Sequence, residues 1–595
     1  MKLRNNPVLY LLAKVWKYSK GNRHMVVLYM VLFFLANSLY ILEPLVLAKV
    51  LNTIQTEGLN EGNLFKILGI LSLFFILAFV HYLFHGPGRI IELRNSFLAH
   101  VNYKQYLLDG VMNLPSAWHT DHHSGDTIDK IEKGTEALSD FSSHNFELLE
   151  IIFGFTGSYI ALVYFNFQAS YIVAIIVISL MTIVWLFDRV LIKQYIRLNR
   201  SYNGISAKVY DTISNITTVI ILRVEKMLSR ALNKKMLQPY DLFKKNILLN
   251  EIKWWLVSMG GAIMMVLVLA SYIYTNVKSG QVVLIGTLFA LYGYLINIHN
   301  IFFRTTWFYS ELVRTKARIL NSEELAEQFT KNKTVPQVSL NKRWQKIEVK
   351  NLSFSYPSEN QLPEQHLDNI SFTLHRGEKI AFVGESGSGK TTALKIIRGL
   401  YNPQQVAVYL DGKKLKHHFN SIRDSIALIP QDPEIFNSTI RENITMGVAH
   451  TMPKIIRFSL LARFHHTALR LPKKYESSIV ERGVNLSGGE KQRLALTRGL
   501  LASTDKSIIL LDEPTSSVDS KNELEIYQNI FTKFSAKTII SSIHRLHLLG
   551  LFDLIYFFDN GKIIAAGNRD KLLQISPKFK KLWEKYQVSN NKIKT

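Results

Sequence analysis

Gly384-Glu385-Ser386-Gly387-Ser388-Gly389-Lys390-Thr391-Thr392 decides how the C-terminal part of this chain folds. An apolar run at 380–383 precedes it and a helix-forming run at 392–400 follows. Strand, glycine-rich loop and helix in that order are what a phosphate-binding loop requires. The glycines let backbone N–H groups turn inward onto phosphate, and the helix N-terminus adds its positive end. Lys390 is placed to neutralise β- and γ-phosphates, and the Thr391 hydroxyl to ligate Mg²⁺. The stretch predicts a site for a nucleoside triphosphate and Mg²⁺, with all nine of its residues at the nucleotide. A plain glycine-rich turn would not need Gly, Lys and Thr in this register. Beyond about residue 345, short β-rich runs alternate with helical segments, which is an α/β pattern.

A second strand sharpens the chemistry. Ile508-Ile509-Leu510-Leu511-Asp512-Glu513 is an apolar run ending in two acids. Asp512 fits a Mg²⁺-holding carboxylate. Glu513 fits the general base that polarises the attacking water.

The N-terminal part obeys another rule. Hydrophobic residues make up 48% of the 595. Before about residue 310 they come in long runs, as expected of membrane spans. Six stretches are long enough to cross a bilayer: 26–51, 64–86, 147–168, 170–191, 254–275 and 281–303. A short turn near 166–170 makes a hairpin of the third and fourth. The first 24 residues carry Lys2, Arg4, Lys14, Lys17, Lys20 and Arg23. They read as an interfacial elbow helix rather than a cleavable export signal. Lys and Arg crowd the segments before span 1, between spans 2 and 3, and between spans 4 and 5, which puts both termini in the cytoplasm. The formal charge of +25 suits a protein against an anionic leaflet, and no nucleic-acid partner is needed to explain it. The absence of cysteine excludes disulfides, thiolate metal sites and a cysteine-protease leader-cleaving domain. The expected fold is a multi-domain membrane protein: an all-α six-helix transmembrane domain over 1–311, a linker over 312–345, an α/β ATPase domain over 346–585 and a polar tail over 586–595.

Leu486-Ser487-Gly488-Gly489-Glu490-Lys491-Gln492-Arg493 resembles the signature motif of ATP-binding-cassette (ABC) ATPases. With the span layout and motif order, the whole chain resembles the ABC exporter half-transporters, six spans fused to one C-terminal cassette. The resemblance implies roles for further residues. Tyr356 would stack on adenine. Gln431, in Ile429-Pro430-Gln431-Asp432, would sense Mg²⁺ and touch the membrane domain. Glu481-Arg482-Gly483 resembles the X-loop of exporters. Ser487, Gly488 and Gly489 would bind the γ-phosphate of another subunit's ATP. Pro514-Thr515-Ser516-Ser517-Val518-Asp519 resembles the D-loop, and His544 the switch histidine. Glu490 stands where Gln is commoner, and the D-loop reads Ser-Ser-Val-Asp rather than Ser-Ala-Leu-Asp. The basic stretch 443–475, with His450, His465 and His466, would be a solvated helical subdomain.

Glu513 and His544 are both present, which implies a homodimer with two active sites. Coupling helices are expected near 114–126 and 211–225. Two polar stripes fall on single helix faces: His81, His85 and Arg89 in span 2, with a kink expected at Pro87, and Asn297, Asn300 and Arg304 in span 6. They either line a translocation cavity for an anionic or amphipathic substrate, or make inter-helix hydrogen bonds and snorkel to the interface. The resemblance implies ATP-driven export of an amphipathic lipid, drug or peptide, with a bacterial inner membrane as the expected location. Lipid flipping between leaflets and an ATP-gated channel or regulatory membrane ATPase are the alternatives. Six spans argue against a soluble cassette protein acting on DNA or ribosomes.

Overall fold

The computed structural model describes residues 6–122, 124–331, 336–340, 343–356, 365–432, 434–479 and 486–592. The chain divides into two compact units, Met1–Met112 with Ser124–Gln328, and Asn113–His123 with Phe329–Thr595.

The first unit is helical. Helix α1 (Pro7–Tyr18) starts at Asn6, whose side chain accepts from the Val8 and Leu9 N–H groups. It buries Tyr10, Leu11, Val15 and Tyr18 on one face, as an elbow helix should. Six helical segments are long and apolar enough to cross a membrane: Arg23–Glu57, Glu61–Met112, Ser124–Phe165, Phe167–Ser214, Glu225–Lys278 and Ile285–Phe329. The first is α2 (Arg23–Tyr40) followed by α3 (Glu43–Glu57). The break has a cause in Pro44, which has no N–H for the Tyr40 carbonyl. Helix α4 (Glu61–Met112) runs unbroken through Pro87. After α5 (Ser116–Asp121), α6 (Ser124–Ser142) and α7 (Asn145–Phe165) form the third span. Asn166 alone separates α7 from α8 (Phe167–Ser214), and its Oδ1 caps α8 by accepting from Ala169 N–H at 3.1 Å. Then come α9 (Ile216–Ile221), α10 (Glu225–Leu237), α11 (Tyr240–Lys278) and α12 (Ile285–Lys331).

Helix α12 continues through 312–331, which the charged composition marked as linker. Leu312, Thr315, Ile319, Ser322 and Leu325 are all buried. Their spacing is that of one helix face beneath a charged exterior, so the Glu- and Lys-rich composition is helix surface.

The second unit holds two sheets. Strands β1 (Lys346–Ser355), β2 (Gln365–His375), β4 (Gln405–Leu410) and β5 (Lys413–Lys414) form an antiparallel sheet ordered β2-β1-β4-β5. The central sheet is ordered β10-β9-β3-β8-β7-β6, with β3 (Lys379–Val383), β6 (Ile426–Ile429), β7 (Ile508–Asp512), β8 (Thr538–Ile543), β9 (Leu554–Asp559) and β10 (Lys562–Gly567). All of these are parallel except β10. Strands β3, β7 and β8 are buried along their whole length, which is why β3 from Ile380 and β7 up to Leu511 read as apolar runs, while β8 also buries Thr538, Ser541 and Ser542. The helices are α13 (Lys390–Ile397), α14 (Ile440–Thr445), α15 (Met452–Leu461), α16 (His465–Arg470), α17 (Gly488–Ala502), α18 (Ser520–Lys533), α19 (Arg569–Ile575) and α20 (Pro577–Lys592). Helix α20 extends into the region read as a polar tail.

Candidate nucleotide site

Four adjacent parallel strands, β3, β8, β7 and β6, end on one edge of the central sheet. Their carboxyl ends carry, in that order, the glycine-rich loop, His544, Asp512 with Glu513, and Gln431. Ligands of open parallel sheets bind at that edge. Residues up to 160 apart in sequence therefore meet because of strand order.

The loop is shaped by close approach. Gly387 and Gly389 have φ of 81° and 103°, which side-chain-bearing residues rarely adopt. A Cβ on Gly384 would meet the Phe558 carbonyl oxygen at 2.4 Å. Gly389 ends the loop, and Lys390 begins α13. Lys390 Nζ donates to the Gly384 and Glu385 carbonyls at 2.8 and 2.9 Å. Burial pushes its ammonium down from the ordinary value, while Glu513 and Asp512 push it back up. Thr391 Oγ1 donates to Asp512 Oδ1 at 2.9 Å. Burial raises the Asp512 carboxyl above its ordinary range, against that bond.

Glu513 sits in the left-handed region at φ 46°, a conformation that concentrates at functional sites. Its carboxylate accepts from Gln431 Nε2 at 3.2 Å and contacts His544 Nε2 at 2.7 Å. A cavity of about 220 Å³ is lined by Ser386, Gly387, Gly389, Lys390, Thr391, Thr392, Gln431, Glu513, His544 and His366. Tyr356 does not line it. Its hydroxyl lies 3.4 Å from Thr392 Oγ1, and its ring stands edge-on to His366 at 4.8 Å.

These groups fit Mg²⁺-ATP. An ammonium, a helix N-terminus and glycines without Cβ atoms form a phosphate cradle. Ser388 Oγ is buried with no hydrogen-bond partner, as suits a hydroxyl waiting on a ligand oxygen. A hydroxyl and a carboxylate supply the oxygen-only, incomplete donor set from which Mg²⁺ is bound together with phosphates.

The signature residues lie apart from this cavity, none of them lining it. Ser487 and Gly488 are exposed at the N-terminus of α17. Ser487 caps the helix, and with Glu490 it closes a reciprocal box: Glu490 N–H donates to Ser487 Oγ at 3.3 Å, and Ser487 N–H to Glu490 Oε2 at 2.9 Å. Glu490 also accepts from Arg470 at 2.6 Å. Burial pushes the Glu490 carboxyl up, but these bonds and the arginine charges outweigh it and hold it below its ordinary range. A Cβ on Gly489 would meet the Ser517 carbonyl oxygen at 2.7 Å, so the signature is packed on the 514–519 loop.

Two residues not singled out from the sequence hold this edge together. Gln492 donates to Ser516 Oγ at 2.7 Å and to the Gln431 carbonyl at 3.4 Å, and accepts from Ser517 N–H at 2.8 Å. Arg545 donates to the Val518 and Ser516 carbonyls at 2.6 and 3.0 Å. Both sit inside motifs already read, so only their direction was hidden. The Glu481-Arg482-Gly483 segment lies outside the described residues.

In the helical unit the polar stripes bind neighbouring helices. Arg89 bonds to Glu92 and to the Ser143 carbonyl. His81 Nδ1 lies 3.2 Å from the Ala36 carbonyl. Asn297 donates to Ser158 Oγ at 2.8 Å, and Arg304 forks onto Glu150 at 2.7 and 2.9 Å. A cavity of about 540 Å³ does lie between α7, α8 and α12, but Phe155, Trp185, Arg189, Thr305, Thr306 and Tyr309 help line it and no stripe residue does. The helices expected near 114–126 and 211–225 are α5 and α9, and the segment around α5 groups with the ATPase unit.

A model of the ABC transporter transmembrane region matches residues 26–298, and an ABC transporter model matches residues 367–516. Arabidopsis thaliana "ABC transporter B family member 24, mitochondrial" is 39% identical over 239 residues, 40% of this chain and 34% of that protein. Xenopus tropicalis "ATP-binding cassette sub-family B member 6" is 26% identical over 557 residues, 89% of this chain and 63% of that protein. The chain thus spans less than two thirds of the length of these relatives. A bacterial Atm1-family ABC exporter with ATP bound shares the fold, with TM-score 0.79 and 22% identity over 95% of this chain and 99% of that one. The chain belongs to the ABC transporters, with an ABC transporter transmembrane region of six apolar helical segments followed by an ABC ATPase domain.

Proposed function

We propose that this chain is half of an ATP-driven exporter, paired with a second copy of itself, that moves an amphipathic lipid, drug or peptide outward across a membrane. One observation carries the reading. A single chain gathers Lys390, Thr391, Asp512, Gln431, Glu513 and His544 at one sheet edge, yet leaves Ser487 and Gly488 exposed outside the cavity. Such a site is complete only when a second copy lends its Ser487 and Gly489 to the γ-phosphate.

In this reading Lys390 and the α13 N-terminus hold the phosphates. Thr391, Asp512 and Gln431 hold Mg²⁺, which when bound neutralises charge on the phosphate oxygens. Glu513, held between Gln431 and His544, takes the proton of the attacking water. Tyr356 meets the adenine beyond Thr392. The mixed lining of the 540 Å³ cavity, aromatic with hydroxyls and Arg189, supports an amphipathic substrate. The ATPase domain faces the cytoplasm of a bacterial inner membrane.

The test is Glu513→Gln in reconstituted protein. ATP turnover should fall at least ~100-fold while ATP stays bound and a two-chain species accumulates. Unchanged turnover removes Glu513 as the base, and a monomer with full turnover removes the pair. Sealed vesicles then identify what is moved. ATP-dependent accumulation of an amphiphile supports export, whereas lipid exchange alone or passive ion flux replaces export with flipping or a channel.

A further inference from the structure

Helix α1 and the start of span 1 enclose a groove that the ATPase chemistry does not use. Its volume is about 600 Å³, and Trp16, Val27, Val31, Phe34, Leu149 and Phe153 are among its lining residues. That volume is in the range of ligand pockets. The lining is apolar from end to end, with the Phe34 and Phe153 rings edge to face at 4.9 Å. Tyr29, the lining residue with a hydroxyl, is fully buried and accepts a hydrogen bond from Asn145 Nδ2 at 3.1 Å. An apolar wall of this kind has no use for a polar solute.

The rim is the opposite. The Arg23 guanidinium lies over the Trp16 ring at 5.1 Å, and its Nε donates to the Trp16 carbonyl at 3.2 Å. The terminal nitrogens have no carboxylate partner among the described residues. Lys20 is exposed in the turn between α1 and α2. Residues 1–42 contain no Asp or Glu, so no nearby carboxylate in that stretch can cancel these charges. Lys14, farther along α1, is paired with Glu323. An interfacial Trp, exposed cations and an apolar slot stand together where the chain passes from the elbow helix into span 1. Trp and Lys or Arg mark the headgroup level, and cations there attract anionic lipid.

We propose that this groove holds an acyl chain of an anionic phospholipid of the cytoplasmic leaflet, with the phosphate held by Arg23 and Lys20. The site needs the chain to be in a membrane but is independent of what the protein transports. The lipid clamps α1 to spans 1 and 3, which the groove joins.

The test uses full-length protein in mixed micelles of phosphatidylglycerol and phosphatidylcholine, with retained lipid counted by native mass spectrometry. Wild type should keep phosphatidylglycerol over phosphatidylcholine. Arg23→Gln or Lys20→Gln should each weaken phosphatidylglycerol retention about fivefold, and the pair about 30-fold, with phosphatidylcholine unchanged. Val31→Trp fills the slot from its lipid-facing side and should remove retention with both cations intact. An unchanged melting temperature for Arg23→Gln in lipid-free detergent, where no lipid contributes to stability, separates lost lipid from a lost fold. Equal retention of both lipids by wild type, or no change in Arg23→Gln together with Lys20→Gln, overturns the proposal. So does a groove that exchanges its occupant on ATP addition, since the occupant would then be cargo.

Discussion

At the scale of single residues, Asp512 shows how function opposes stability. Its side chain is 4% exposed and bonded to Thr391. Burial holds the carboxyl above its ordinary range, so the folded state prefers the protonated form more than the unfolded state does. The sign follows from linkage. Asp512 contributes stability that is present below its unfolded pKa and is lost as pH rises through the raised folded value. Above that value the nucleotide-free domain carries a destabilising carboxylate. Asp512→Asn is expected to raise the melting temperature of nucleotide-free protein and to flatten its dependence on acid pH. The same change should abolish the extra stabilisation that Mg²⁺ with ATP gives over ATP alone. Melting curves with and without nucleotide check both halves, and a lower melting temperature for the free variant would make Asp512 a structural residue.

At the scale of elements, α17 and the α8–α11 pair each yield a separable prediction. Ser487 has two duties: capping α17 and, by proposal, meeting a second copy's γ-phosphate. Ser487→Ala should cost about 1 kcal/mol of ATPase-domain stability. Ser487→Asp keeps a cap of equal quality but sets a carboxylate against phosphate. It should melt like wild type yet fail to pair with ATP, as chain mass in solution would show. Between α8 and α11, Lys253 and Asp188 form an ion pair at 3.1 Å, with side chains 4% and 13% exposed. Lys253→Met strands a buried carboxylate and should cost about 3–5 kcal/mol. Adding Asp188→Leu should recover most of that in a detergent melt. The contrast shows what the sequence could carry. Strand-end motifs were legible because chemistry fixes residue type beside a loop of known shape. Glu490 could be seen to differ from the commoner Gln, but its capping box and its bond to Arg470 needed coordinates. The Lys253–Asp188 pair was not legible, since a one-dimensional pattern gives each helix its own faces but not its rotation against a neighbour. For the same reason the sequence leaves the stripes of spans 2 and 6 open between cavity and helix contact, and the Arg304 bond to Glu150 is a helix contact.

At the scale of the whole molecule, the chain crosses from one compact unit to the other and back over a short segment. It leaves the helical unit after Met112, groups with the ATPase unit over Asn113–His123, and returns at Ser124. Pro115 stops the preceding helix and stands at the N-cap of α5, so the excursion is written in the sequence. Trp118 lies within it. Its indole stacks on His122 at 4.2 Å, and its Nε1 is buried without a hydrogen-bond partner. In the proposed exporter this segment couples ATP turnover to the substrate, and Trp118 is its bulkiest side chain. Trp118→Ala is therefore expected to leave turnover with ATP alone within about twofold, because every group at the nucleotide is untouched. Stimulation by a transported amphiphile should fall about tenfold, the size of a typical coupling free energy between sites. Both rates can be read in one nanodisc preparation. A parallel fall of both would make α5 a folding element of the ATPase unit, and two unchanged rates would reduce it to a turn. Loss of stimulation alone is the signature of a coupler, since only a coupler can matter to the substrate while remaining silent to ATP.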